Sequence, residues 1–166
     1  MELGYLADHQ AFIPTLVHWH HAQWSYLRPG DTIEGRTARM QTHLGKRQIP
    51  TTFVAYETTE DGAEVVVGSA SLYVHDLDTR PDLSPWLASV YVAEEHRRQG
   101  IGSALVRRAV QEAAELGVER LYLFTPDQEQ LYKRLGWFVV ERCLFGGSLQ
   151  TVMACYPKDI GKPNVT

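Results

Sequence analysis

Cysteine is scarce in this sequence: two residues in 166, Cys143 and Cys155, with no CxxC pair and too few thiols for a disulfide framework. Reduced thiols packed as small hydrophobes in a cytoplasm are the expectation. Nowhere do ~18 apolar residues run together without a charge, and Met1-Glu2-Leu3-Gly4 lacks a basic stretch followed by an apolar core. Neither a membrane span nor a secretion signal is expected. Positive charge is also short: sixteen Lys and Arg stand against twenty Asp and Glu, a net charge of −4. That balance argues against nonspecific nucleic-acid binding and still admits a small anionic ligand. GxxxxGK followed by Ser or Thr is missing, and so is the third glycine of GxGxxG, which disfavours a P-loop or a dinucleotide site. His18, His20 and His21 are clustered, but no Cys/His spacing completes a four-ligand zinc site, so no metal is expected.

What is present is the composition of a globular domain, 44% apolar and 22% charged, without repeats or low-complexity tracts. The reading is one domain over residues 1–157 and a tail over 158–166. Glu2 to Ala7 reads as a strand and Ala11 to Leu27 as a helix stopped by Pro29 and Gly30. A second helix over Thr32 to Leu44 has Asp31 as its expected cap and Gly45 as its left-handed terminator. Thr51 to Glu57 and Glu64 to Val74 form a hairpin, with Gly68 marking a bulge or close approach. His75 to Pro85 is a loop and a candidate acceptor lid, followed by a strand, Trp86 to Val92. Gly100 to Leu116 has the clearest helical periodicity and stops at Gly117. Arg120 to Thr125 is a strand, Asp127 to Leu135 a short helix, and Trp137 to Phe145 with Ser148 to Tyr156 a hairpin about Gly146-Gly147.

The densest chemical signal is Glu94-Glu95-His96-Arg97-Arg98-Gln99-Gly100-Ile101-Gly102-Ser103, set between an apolar strand and an amphipathic helix. Glycine lets backbone approach a ligand without a Cβ, and the free amides and positive dipole end of a helix start suit a diphosphate. Arg97, Arg98 and Ser103 can add hydrogen bonds. A solvated, charged turn is the bland alternative for the same residues.

Arg97-Arg98-Gln99-Gly100-Ile101-Gly102 resembles the cofactor motif of the GCN5-related N-acetyltransferase (GNAT) family: Arg or Gln, two residues, Gly, one residue, then Gly or Ala. The resemblance extends from Trp86 to Val92 and on through Leu131-Tyr132-Lys133-Arg134-Leu135-Gly136-Trp137. It implies an α+β fold, in which a splayed, mostly antiparallel mixed sheet flanked by helices holds acetyl-coenzyme A. The implied cofactor-binding residues are Val90, Tyr91 and Val92 along the pantetheine arm, Arg97, Arg98, Gln99, Gly100, Ile101, Gly102 and Ser103 at the diphosphate, and Thr125. Thr125 stands where many members carry Asn, and Gln128 where a small residue is common, so the detailed contacts differ there. Tyr132 is the implied acid at the coenzyme sulfur, and the Tyr91 or Val92 amide would polarise the acetyl carbonyl.

The implied reaction is direct acetyl transfer to a primary amine in a ternary complex, with a small-molecule amine as the expected acceptor. Peptide or protein acetylation and a non-catalytic acyl-coenzyme-A-binding module are the alternatives, and a homodimer is left open. Asp76, Asp78, Asp82, Glu94 and Glu95 are all candidates for the base. Trp19, Trp24 and Tyr26 are candidates to line the acceptor site or to form core, and Arg39, Lys46 and Arg47 read as surface charges.

Overall fold

The computed structural model describes residues 1–160. Among these residues seven strands form one sheet: β1 (Glu2–Tyr5), β2 (Thr51–Thr58), β3 (Glu64–Tyr73), β4 (Trp86–Val92), β5 (Leu121–Thr125), β6 (Phe138–Phe145) and β7 (Ser148–Cys155). Their order is β1-β2-β3-β4-β5-β7-β6, antiparallel throughout except between β4 and β5. The helices are α1 (Ile13–Trp24), α2 (Ile33–Met40), α3 (Ile101–Glu115) and α4 (Glu129–Arg134). This is the mixed, mostly antiparallel sheet flanked by helices that the sequence leads one to expect.

Period-two alternation sorts the strand residues between two faces. Phe53, Ala55, Leu121, Leu123, Met153 and Cys155 pack with Leu105, Val106, Ala109 and Val110 of α3. Their neighbours face the other way: Val54 packs with Leu16 and Val17 of α1 and Met40 of α2, whereas Tyr122, Val152 and Ala154 surround Trp86. Burying each large aliphatic side chain of α3 contributes roughly 1.5–3 kcal/mol, so this face holds the helix whose start carries the glycine motif. Cys143 and Cys155 are free thiols.

Two irregularities bend the middle of the sheet. At Gly68 the β2–β3 register shifts, and a Cβ there would lie 2.8 Å from the Tyr91 carbonyl oxygen and 3.0 Å from Leu105 Cδ1. Beyond this bulge Ala70 and Leu72 face α3, while Ser69 and Ser71 turn to the α1 side. In β4 an extra residue falls between the pairs Ser71↔Ala88 and Ser69↔Tyr91, and Ser89 takes φ 52° to accommodate it. A bulge bends its strand and strengthens its twist, so β4 swings away from β5.

The first two helices depart from the sequence reading. The expected helix over Ala11 to Leu27 is divided into a 3-10 turn at Gln10–Phe12, α1, and a second 3-10 turn at Ser25–Leu27. Pro14 in the first turn of α1 loses no helical bond, while Trp24 at φ −125° ends the α-helical run. Thr32, not Asp31, caps α2, its Oγ1 accepting the Gly35 N–H at 2.9 Å. That helix ends at Met40, because Leu44 is already bridged to Thr51. Gly45 is needed for space and not for left-handed backbone, since a Cβ would sit 2.7 Å from the Pro50 carbonyl oxygen. At the other end Pro157–Asp159 forms a 3-10 turn with Pro157 buried, and Ile160 packs on the α3 core. The rest of the expected tail lies outside the described residues.

Gly68→Ala tests the central bulge. The nearest obstacle is backbone, so a destabilisation of ~1–3 kcal/mol is expected, read as a lower urea midpoint at unchanged m-value. An unaltered midpoint would show that the sheet accommodates a side chain there.

Candidate active site

Parallel strands normally share an evenly spaced ladder, yet β4 and β5 share one registered pair, Trp86↔Tyr122, closed by a 3.1 Å bond from the Tyr122 N–H to the Pro85 carbonyl. Beyond that point the strands diverge. Successive amides along a strand point to opposite edges, and Ala93 donates to Val67 in β3 at 2.8 Å. The Val92 amide therefore faces the opening and the Tyr91 amide faces β3. On the open edge the Val92 carbonyl accepts Arg97 Nε at 2.9 Å.

At the mouth of the opening the chain turns into α3 through two left-handed residues, Arg98 at φ 64° and Gly100 at φ 80°. Gly100 precedes the helix without a side-chain cap, and the first bond of that turn runs from Ala104 N to the Gly100 carbonyl at 3.0 Å. The amides of Ile101, Gly102 and Ser103 find no acceptor among the described residues, and they point out of the helix start together. Arg97 stacks over Tyr91 at 5.4 Å while holding Val92, so part of its charge serves to fix the loop.

A cavity of about 900 Å³ occupies the opening. It is lined by Val90, Tyr91 and Val92, by Arg97 and Arg98, by Gly100 to Ser103, by Thr125 and by Tyr132, so every cofactor residue implied by the resemblance is gathered here except Gln99. Thr125 Oγ1 accepts the Gln128 amide at 3.1 Å and so caps the turn after β5, leaving its own hydroxyl proton to donate. Tyr132 is 7% exposed, with its ring edge-on to Trp137 at a centroid distance of 6.0 Å. Burial, with the Asp127 charge beside it, pushes its phenol up to about 12.

The cavity continues across β4 to the α1 and α2 side, where sequence reasoning had least to say. His20 Nε2 lies 2.8 Å from Ser69 Oγ, which itself donates to the Ser89 carbonyl at 2.9 Å. Ser69 has one proton, so His20 must donate from Nε2. Burial, with the Arg36 charge and His43 beside it, holds His20 down at about 3, which keeps it neutral. Tyr73 OH meets Ser89 Oγ at 2.9 Å, and His43 lies against the Tyr73 ring at 4.5 Å. His18 and His21 go elsewhere, to the Pro14 carbonyl and to Asp31. Trp24 and Tyr26 line this part of the cavity, whereas Trp19 stacks on Tyr91 at 5.3 Å.

Of the five carboxylates proposed from sequence as base, only Asp76 lines the cavity. Burial raises it to about 6 despite Arg28, whose Nη2 donates to the Asp76 carbonyl at 2.8 Å. The 75–85 loop is not a free lid: His75 and Asp76 reach the cavity, while Leu77 is buried and Arg80 is paired with Glu141. Arg28, Arg36 and Arg39 also line this part, and Arg36 was missed from sequence altogether. Its only local signal is the i, i+3 spacing with Arg39, which a solvated helix face shares.

The model of the Acetyltransferase (GNAT) family matches residues 14–137. No curated protein sequence matches the chain significantly. Among solved structures, an aminoglycoside 6'-acetyltransferase type Ii superposes with a TM-score of 0.70 at 19% identity, over 98% of this chain and 100% of that one. An aminoglycoside 6'-N-acetyltransferase complexed with coenzyme A gives 0.69 at 16% identity, over 99% and 100%. Ribosomal-protein-alanine N-acetyltransferase from Brucella melitensis gives 0.69 at 21%, over 94% and 99%. At these identities the likeness is one of fold, and the acceptors named differ among the three.

The Tyr132 phenol gives a check on the site that needs no ligand. Its folded pKa lies above the ordinary value of ~10, so its contribution to stability is complete below pH 10 and is lost as pH rises through about 12. Subtracting the 295 nm absorbance titration of Tyr132→Phe from that of the unmodified protein should leave a phenolate step near pH 12. A step at the ordinary value would show the ring to be solvated.

Proposed function

The chain belongs to the GNAT family of acetyltransferases, and from that premise we propose that it moves an acetyl group from acetyl-coenzyme A to the primary amine of a small molecule, by direct attack within a ternary complex. The observation that carries this reading is the parting of β4 from β5 directly beside the free amides of α3. When bound, acetyl-coenzyme A supplies a thioester whose carbonyl gains negative charge under attack by an amine and whose sulfur departs as a thiolate.

The residues fit such a molecule. Three helix-start amides without an acceptor among the described residues, and the Arg98 side chain lining the cavity beside them, suit the diphosphate. The Val92 amide, on the open edge of β4, is the donor suited to the acetyl oxygen, and the Tyr91 amide is already turned toward β3. Tyr132 keeps its proton throughout the neutral range and donates to the departing sulfur. Asp76, raised to about 6, is ionised at neutral pH and basic enough to receive a proton from the amine side. Trp24, Tyr26, His43 and Tyr73 close around the acceptor part of the cavity, whose total size falls within the ~300–1,000 Å³ usual for small-molecule sites. Both features favour a small acceptor over a peptide segment.

Two variants test this reading. Gly100→Trp projects into open space and costs about 1–2 kcal/mol for a side chain at φ 80°, so the fold should survive with a lowered midpoint while acetyl-coenzyme A affinity by calorimetry falls at least ~10-fold. Unchanged affinity would remove the helix-start site. Tyr132→Phe keeps the ring against Trp137 and deletes the hydroxyl; single-turnover thiol release should slow ~10- to 1,000-fold while cofactor affinity and thermal stability hold. An unchanged transfer rate would strip Tyr132 of the donor role.

A further inference from the structure

The acceptor part of the cavity is positively charged, which a site for polycationic amines should not be. Three guanidinium groups line it, those of Arg28, Arg36 and Arg39. Two carboxylates answer them. Asp76 takes Arg28, and Asp31, 1% exposed, is shared by Arg36 at 2.7 Å, Arg39 at 2.7 Å and His21 at 3.1 Å. Counting only the groups in direct contact, one positive charge is left over, with exposed Asp78 beside Asp76 offsetting part of it. Arg36 is 12% exposed and spends Nε and Nη2 on a single Asp31 oxygen; its Nη1 group has no acceptor among the described residues. That group borders the cavity, and because the Asp31 carboxylate is shared with Arg39, a second anion can be taken there by charge-assisted bonds.

The neighbouring groups sense the same field. Burial together with Arg36 and His43 pushes His20 down to about 3, and burial together with Arg39 pushes His43 down to about 4. Neither imidazole adds a charge at neutral pH. Arg36 also lies close enough to Asp76 to counter the rise that burial imposes on it, so the surplus cation and the one cavity carboxylate with proton-accepting character are neighbours.

We infer that the acceptor is an amine that carries its own anionic oxygen group close to the nitrogen, an amino-acid-like zwitterion, with its carboxylate docked on the Arg36–Arg39 pair and its ammonium received by Asp76. This rests on the acetyl-transfer reading above and narrows its substrate class. A polyamine or an aminoglycoside would bring several cations against a cationic wall. A peptide amino terminus would lack the carboxylate beside the amine.

The test compares each of a set of free L-amino acids with its own carboxamide, alongside spermidine and an aminoglycoside, by coenzyme A thiol release and acetylated product. The free acid should exceed its amide by at least ~100-fold in kcat/KM, since a site built to bind a polar group rejects the analogue that lacks it. Arg36→Met should collapse that ratio by raising KM for the acid far more than for the amide, while any change in kcat that comes through Asp76 falls on both alike. Arg39→Gln, at a half-exposed position, should do the same to a smaller degree and keeps the test alive if the first variant fails to fold. Equal rates for acid and amide, or preference for spermidine, would overturn the zwitterion assignment while the transfer reading stands. Thiol release with none of the amines would count against the transfer reading instead. Calorimetric titration of the free acid and its amide into the protein saturated with coenzyme A then decides the binding claim alone: the acid should bind, the amide should not, and Arg36→Met should abolish the difference. Equal binding would overturn it.

Discussion

Beyond Trp86 and Tyr122 the facing edges of β4 and β5 have no strand to pair with among the described residues, and the consequences of that parting organise the protein. A strand edge must find partners for its amides and carbonyls or present them to a ligand. One group is used internally, where Arg97 Nε fills the Val92 carbonyl and its guanidinium covers Tyr91, fixing the loop that leads into α3. The others remain available where an extended ligand would lie as a substitute strand. The gap is imposed by the bulge at Ser89 and is not a failure of pairing. At Ser89 the backbone is driven to positive φ, and the extra residue is held by Ser69 Oγ on its carbonyl and Tyr73 OH on its own hydroxyl.

Those restraints connect the bulge to the opposite face of the sheet. His20 of α1 donates to Ser69, Ser69 donates to Ser89, and the neighbouring Thr52–Ser71 contact at 2.8 Å continues the buried polar layer. A polar layer at this depth is stabilising only while each member is satisfied, so α1 cannot shift without unsettling the strand that forms the wall of the site. On the α3 face, buried Glu112 takes the Tyr5 hydroxyl at 2.7 Å, the Arg108 guanidinium at 3.3 Å and the Arg47 amide at 3.2 Å. That cluster ties the first strand and the turn before β2 to the helix whose start forms the anion receptor.

The parts of this arrangement that were legible in the sequence are those encoded locally. Strand β4 was read with its observed bounds, and α3 was read to within a residue at each end, because apolar spacing, Gly100 and Gly117 act over a few residues. Gly68 was readable as a close approach, although not what it approaches: the Tyr91 carbonyl lies 23 positions away, and only the sheet register brings it near. Asp31 shows the opposite case. As the residue before a helix it looks like a cap, but Thr32 takes that role, and Asp31 is drawn inward by two arginines and by His21. The wall of arginines was illegible for the same reason, since nothing local distinguishes Arg36 from an exposed helical arginine until α2 packs on α1. Tyr132 and the glycine motif were legible through resemblance, whereas Asp76 emerged from five equivalent carboxylates only when the cavity was in view.

Burial acts in the same direction on the two titratable groups that the proposed chemistry uses, and with different consequences. It raises Asp76 from a weak base to one that titrates near 6, still ionised at neutral pH, and it raises Tyr132 to about 12. Raising a carboxylate improves a proton acceptor, but raising a phenol makes it a poorer acid. A free thiol has a pKa of ~8.5, so full proton transfer from Tyr132 to a thiolate would run uphill by roughly three units or more. The phenol is therefore better suited to hold a hydrogen bond on the developing thiolate than to surrender its proton, with water completing the protonation after release. In a buried setting such a bond is strengthened by the same low dielectric that raises the pKa. The resistance of Tyr132 to ionisation thus preserves the donor over the whole range in which Asp76 is an effective base, so that acid-side and base-side groups are both in their working protonation states from about pH 6 upward.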